Sequence, residues 1–179
     1  MNDLANRVVV VDGDITRLKT DAVVTAANSQ LRGGGGVDGA VHAAAGPELL
    51  EASLKLAPCP PGEARITPAF RLPATWVIHA VGPIYRDGKS AESVTLASAY
   101  QASLECVREH QLKSIAFPCI STGVYGYPKD EAAEIAIKTV LDWLRLHVFP
   151  HQVIFCCFDA RDARRYRDEL SALGFSEKS

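Results

Sequence analysis

Val23-Val-Thr-Ala-Ala-Asn-Ser-Gln-Leu-Arg-Gly-Gly-Gly-Gly-Val-Asp-Gly-Ala-Val-His-Ala-Ala-Ala-Gly46 carries an apolar strand into Asn28, then four glycines, then Asp38 at the head of a small-residue helix. Glycine has no Cβ, so a run of it lets backbone N–H groups approach a ligand closely. Successive exposed N–H groups form an anion cradle. A helix N-terminus just downstream adds partial positive charge. One short segment thus offers an anion cradle flanked by an amide and a carboxylate.

Outward from this stretch, strand and helix signals alternate. Strands are predicted at 8–12, 22–26, 64–68, 76–81, 114–119 and 153–158, and helices at 39–45, 48–55, 96–109, 131–146 and 160–173. Pro128 suits a first helical turn, and Gly174 suits the end of the last helix. Runs such as Ser114-Ile-Ala-Phe-Pro-Cys-Ile120 are apolar throughout, as expected for strands buried on both faces. The pattern predicts an α/β fold with a largely parallel sheet between two helical layers, whose ligands gather at the carboxyl ends of the strands. Residues 85–93 read as a polar surface loop, and the last five residues are expected to fray.

The bulk properties narrow the function. At 179 residues the chain is long enough for one domain burying roughly 70% of its unfolded surface. Its 47% hydrophobic and 22% charged residues fit a globular protein. A net charge of −2 argues against nucleic acid or an acidic membrane as partner. No apolar run reaches the about 18 residues of a membrane helix, and Met1-Asn-Asp-Leu-Ala-Asn-Arg7 has no signal-peptide core. A cytoplasmic protein is the expectation. Five cysteines without a C-x-x-C pair argue against a disulfide framework or zinc ribbon, and Cys119, Cys156 and Cys157, in apolar runs, are expected to be buried and inert. No His/Cys spacing fits zinc and no carboxylate cluster fits magnesium, so neither metal nor cofactor is expected.

Each candidate site residue has a plain structural reading beside its functional one. Asp14 follows the first strand; it either binds an amino group such as adenine N6 or caps a turn. Asn28 either orients a ribose hydroxyl or a water, or is a turn asparagine. Asp38 either activates or anchors water, or caps the helix. A helix N-terminus lowers a carboxylate's proton affinity, so Asp38 is expected to position water more than to remove a proton. His42, four residues on, shares its helix face. Ser121, Thr122, Gly123, Val124 and Tyr125 follow a buried strand, and their hydroxyls and amides suit a diphosphate. Phe158 either stacks on a base or is a core or edge aromatic. Neither loop is a P-loop, and no dinucleotide fingerprint follows the first strand.

Gly13-Asp-Ile-Thr16, Ala26-Ala-Asn-Ser29, Gly33-Gly-Gly-Gly-Val-Asp-Gly39, Ala44-Ala-Gly-Pro47, Val77-Ile-His-Ala-Val-Gly-Pro83 and Ile120-Ser-Thr-Gly-Val-Tyr-Gly-Tyr-Pro128, in that order, resemble a macrodomain. The resemblance is to the MacroD-type class, which includes bacterial O-acetyl-ADP-ribose deacetylases, and spans roughly residues 8–170 within one domain over residues 1–179. It implies a three-layer α/β/α fold with a mixed sheet and a cleft for ADP-ribose. It further implies that Asp14, with the Ile15 backbone, binds adenine, and that Phe158 lies near it. Gly36, Val37 and residues 121–125 would wrap the diphosphate and distal ribose. Asn28 and Asp38 would serve hydrolysis of O-acetyl-ADP-ribose and of mono-ADP-ribosylated Asp or Glu side chains, in a chain that needs no second copy. A non-catalytic ADP-ribose reader or a regulatory interaction protein is the alternative. Two departures stand out: Thr25 replaces the first Asn of a common Asn-Ala-Ala-Asn, and Ala43 replaces a frequent Arg near the rim. Neither is expected to touch the pair Asn28 and Asp38.

Overall fold

The computed structural model describes residues 4–175. Six strands form one sheet in the order β1-β6-β5-β2-β4-β3. They are β1 (Val8–Asp12), β2 (Ala22–Ala26), β3 (Ala64–Pro68), β4 (Trp76–Ala80), β5 (Ser114–Phe117) and β6 (Gln152–Cys157). All neighbours pair parallel except β3, which runs antiparallel to β4 at one edge. The sheet is mixed and largely parallel, as the sequence predicts. Six helices accompany it: α1 (Leu4–Arg7), α2 (Gly36–Ala45), α3 (Pro47–Leu54), α4 (Glu92–Glu109), α5 (Lys129–Leu146) and α6 (Ala160–Ala172).

Alternation along the strands sorts side chains to two helical layers. Val24, Ile78, Ile115, Phe117, Val153 and Phe155 pack in one cluster with Leu96 and Leu104 of α4, Ile137 of α5 and Tyr166 of α6. Val23, Val77, Ala116 and Cys156 pack on the opposite face with Val41, Ala45 and Leu49 of α2 and α3. The result is a three-layer α/β/α sandwich. Each fully buried Val, Leu, Ile or Phe contributes about 1.5–3 kcal/mol of transfer free energy.

The element boundaries depart from expectation where polar or proline residues sit. β5 ends at Phe117, before Pro118, which lacks a ladder donor. Pro128 is the N-cap of α5 rather than a first-turn residue. Helix α4 begins at Glu92, not Leu96. The expected surface loop at 85–93 is therefore shorter, and it is tied down: the buried Glu92 carboxylate accepts the N–H groups of Arg86, Asp87, Gly88 and Ser90 at 2.6–3.1 Å. Those bonds pull its pKa down to about 2. Of the tail expected to fray, Phe175 is anchored by its N–H to Leu170 O at 2.8 Å, and residues 176–179 lie outside the described residues. Among the described residues no helix is long and apolar enough to cross a membrane.

Candidate active site

Parallel pairing sets four carboxyl-terminal strand ends side by side in the order β1, β6, β5, β2. The residues after them follow the same order: Asp14 and Ile15, Phe158, residues 121–125, then Asn28 and the glycine loop. Neighbouring strands lie about 4.8 Å apart, so three intervals span about 14 Å. The topology thus gathers every candidate site residue along one edge.

At the β2 end, Asp38 is the third residue of α2, and the helix is capped by Gly35. Asp38 is therefore not the N-cap. It is 3% exposed. Thr25 Oγ1 donates to Asp38 Oδ1 at 2.8 Å, and His42 Nε2 lies 3.6 Å from the same oxygen. Burial raises the Asp38 pKa above the ordinary carboxylate value, against the lowering pull of Thr25, His42 and the Gly34 amide. Desolvation outweighs these hydrogen-bond and charge contributions, which reverses the expectation of a weakly basic carboxylate. The expectation that Thr25 leaves the pair alone also fails. Strand alternation points Thr25 to the α2 face, straight at Asp38.

A polar string continues beneath. His79 of β4 is paired with Thr25 in the sheet register, and its ring lies 6.2 Å from that of His42. The Thr67 hydroxyl donates to Pro68 O, so the 2.9 Å contact between Thr67 Oγ1 and His79 Nε2 has histidine as donor. His79 Nδ1 is then a bare, buried acceptor. Burial, with His42 adding to it, pushes the His79 pKa down to about 3, so this histidine stays neutral.

Asn28 holds the glycine loop in place. Its Nδ2 donates to Gly33 O at 2.9 Å, and Arg32 N–H donates to its Oδ1 at 3.3 Å. A Cβ on Gly34 would sit 3.5 Å from Asp38 Oδ2 and 3.7 Å from Asn28 Nδ2, so Gly34 lies between the two candidate catalytic groups. Gly39 is there for close approach: a Cβ would come within 2.7 Å of Gly34 O. Gly36 and Val37 open α2, where first-turn amides have no intrahelical acceptor and face outward for an anion. Behind the loop, a cavity of about 440 Å³ is lined by Gly33, Gly34, His42, Ala43 and Leu50 among others. Ala43, with its short side chain, is one of the lining residues.

The β5 loop is built differently from expectation. The Ser121 hydroxyl is buried and donates to Pro83 O at 2.8 Å. The Thr122 hydroxyl donates to Cys119 O at 3.0 Å. Both hydroxyl protons are spent on the scaffold, which leaves backbone amides as the anion donors. Ser121 adopts φ +68°, unusual for a residue with a side chain. Three contacts hold it there: its own hydroxyl bond, Tyr127 N–H to Ser121 O at 2.9 Å, and Tyr85 N–H to Tyr125 O at 2.8 Å. Gly82 braces the same loop, because a Cβ there would overlap Ser121 Oγ and lie 2.6 Å from Ile120 Cγ2. Val124 at the tip is 100% exposed.

At the far end, Asp14 does cap a turn: its Oδ1 accepts Thr16 N–H at 2.9 Å and the Thr16 hydroxyl at 2.6 Å. Those bonds, the hydroxyl first, lower its pKa, so it remains an acceptor at neutral pH. The Ile15 side chain is buried in the α2–α3 core, so only its backbone is available to a ligand. Phe158 is 90% exposed, not a core aromatic. Among the described residues, no three His, Cys, Asp or Glu side chains are grouped to hold a metal ion.

A Macro domain family model matches residues 24–136. The chain belongs to the macrodomain family. The O-acetyl-ADP-ribose deacetylase of Escherichia fergusonii is 52% identical over 175 residues, covering 96% of this chain and 99% of the relative. The Oceanobacillus iheyensis macrodomain with ADP is 44% identical with a TM-score of 0.86, covering 92% of this chain and 90% of that one. The Trypanosoma brucei macrodomain in complex with ADP-ribose is 36% identical with a TM-score of 0.87, covering 96% and 71% of the two chains. For this macrodomain, sequence reasoning missed Thr25, Gly82 and His79 as supports of the site. The available signal was a polar residue inside an apolar strand (Thr25, His79), but it names no partner.

Proposed function

We propose that this macrodomain binds ADP-ribose along the β1-β6-β5-β2 edge and hydrolyses acyl esters of its distal ribose. O-acetyl-ADP-ribose would give ADP-ribose and acetate. The same chemistry would release mono-ADP-ribose from Asp or Glu side chains of proteins. One observation carries the reading: a buried carboxylate of raised proton affinity, Asp38, is fixed by Thr25 beside Gly34 and Asn28 at a strand end. The names of the Escherichia fergusonii and Trypanosoma brucei relatives support the ligand and the acyl chemistry.

The steps follow from these residues. The backbone amides of residues 36–37 and 121–125 receive the diphosphate, and Phe158 and Asp14 receive adenine. This holds the ester near Asn28 and Asp38 in attack geometry. Asp38 takes a proton as water oxygen bonds to the acyl carbon. The acyl carbon–ribose oxygen bond then breaks, and the proton returns to the ribose oxygen. General-base assistance of this kind is worth about 10²–10⁴-fold. Asn28 orients the ribose or the water.

The test is acetate release from O-acetyl-ADP-ribose followed by NMR, with Asp38→Ala alongside and a mono-ADP-ribosylated glutamyl protein as second substrate. Release by the parent and not by the variant supports the reading. ADP-ribose binding with no release from either substrate makes the chain a reader instead.

A further inference from the structure

Cys119 and Cys157 follow β5 and end β6, neighbouring parallel strands whose register runs Phe117 opposite Phe155. Two residues further, the cysteines are opposite each other on the same face. Their sulfurs are 3.8 Å apart and both thiols are free. Parallel strands separated by about 4.8 Å bring Cα atoms within the range a disulfide spans. Cys157 is buried and Cys119 is half-buried. Beside Cys119 lies the buried Tyr166 hydroxyl.

We propose that Cys119 and Cys157 form an oxidant-modifiable dithiol that takes a hydroperoxide and closes to a disulfide directly beneath the 120–125 loop. Cys119 thiolate attacks one peroxide oxygen, the O–O bond breaks, and hydroxide leaves. Cys157 sulfur then attacks Cys119 sulfur and the S–O bond breaks. The Cys157 proton and the departing hydroxide form water. Two thiols and one peroxide thus give one disulfide and two waters.

The direction of attack follows from exposure: Cys119 is half-buried and Cys157 buried, so a peroxide meets Cys119 first. The contact between the two sulfurs lowers the pKa of Cys119 and raises that of Cys157. Cys119 is half-buried rather than fully buried as its apolar surroundings suggested. Cys59, Cys106 and Cys156 all have raised values, the last two to about 11, with burial as the leading cause. Thiolate reactivity concentrates the chemistry on Cys119.

The experiment treats the full chain with stoichiometric hydrogen peroxide, alkylates remaining thiols and maps peptides by mass spectrometry, with Cys119→Ser and Cys157→Ala in parallel. The expected result is loss of two hydrogens from the intact mass and a crosslinked 119–157 peptide pair, reversed by dithiothreitol. Cys157→Ala should trap Cys119 as the sulfenic acid, captured by dimedone, and Cys119→Ser should lose both products. No crosslink in the parent, or overoxidation of Cys119 to sulfinic acid without one, overturns the proposal. None of these readouts depends on the hydrolase activity.

Discussion

At the β2 end of the site edge, Asp38 and Thr25 are buried side chains bonded to each other; at the β1–β6 end, Asp14 and Phe158 stand in solvent, and Asp14 bonds within its own turn. The β5 loop between them spends its hydroxyls on scaffold carbonyls and offers its backbone. The contrast separates two tasks. A group that must change protonation gains from desolvation, which raises its proton affinity, and from fixed partners, which hold it in place while pulling that affinity back down. A surface that must only bind gains from open backbone donors and an exposed ring, at little cost to the fold.

Substitutions can break this division. Asp38→Ala should reduce turnover of O-acetyl-ADP-ribose by about 10²–10⁴-fold while ADP-ribose affinity, measured by calorimetric titration, changes far less; equal losses would place Asp38 in binding instead. Gly82→Ala should destabilise the chain by about 1–3 kcal/mol through overpacking against Ser121 and Ile120, read from the denaturant midpoint, and weaken ADP-ribose binding as well. Phe158→Ala should weaken ADP-ribose binding by about 1–3 kcal/mol, the worth of one base–aromatic contact, with turnover at saturation unchanged and the melting temperature unmoved. Gly123→Ala is the smallest: no protein atom lies within 4 Å of the added carbon, so the melting temperature should match the parent.

The pH profile sharpens the same comparison. Protonated Asp38 cannot accept a proton, so kcat/KM should fall as pH drops through its raised pKa. Thr25→Val removes a hydrogen bond to the charged form and should move this acidic limb to higher pH, lowering kcat/KM on the limb by about tenfold. Stability runs the other way. Between the unfolded and folded pKa values of Asp38 the native chain binds more protons, so stability declines as pH rises through that window. An Asp38→Asn chain whose melting temperature tracked the parent across that window would show that the carboxylate carries no such penalty.

Most strands were legible because they are short apolar runs between polar or glycine stops, as in Val8–Asp12 and Ala22–Ala26; edge strand β3, Ala-Arg-Ile-Thr-Pro, is not. Helix starts were less so. The first turn of α2 is Gly-Val-Asp-Gly and that of α4 is Glu-Ser-Val-Thr, neither of which shows apolar periodicity. The gathering of Asp14, Asn28, Asp38 and the 121–125 loop follows from parallel topology, which alternating strands and helices announce. What sequence could not give is which long-range pairs form. Thr25 meets Asp38 thirteen residues away, and Ser121 meets Pro83 thirty-eight away. Nor does sequence show the balance at Asp38 between burial and the pull of Thr25, His42 and the Gly34 amide, which depends on how much protein covers the carboxylate.

The row of strand ends acts as a ruler. Its graduations are set by backbone hydrogen bonding, so the distance from the aromatic end to the carboxylate end cannot be retuned by point mutation. A ligand must match it in length before its functional groups are inspected at all. On the proposed reading, an acylated ribose phosphate that lacks the adenylate half would reach Asp38 yet leave Phe158 and Asp14 unused. It would be turned over only at concentrations where the lost grip no longer matters.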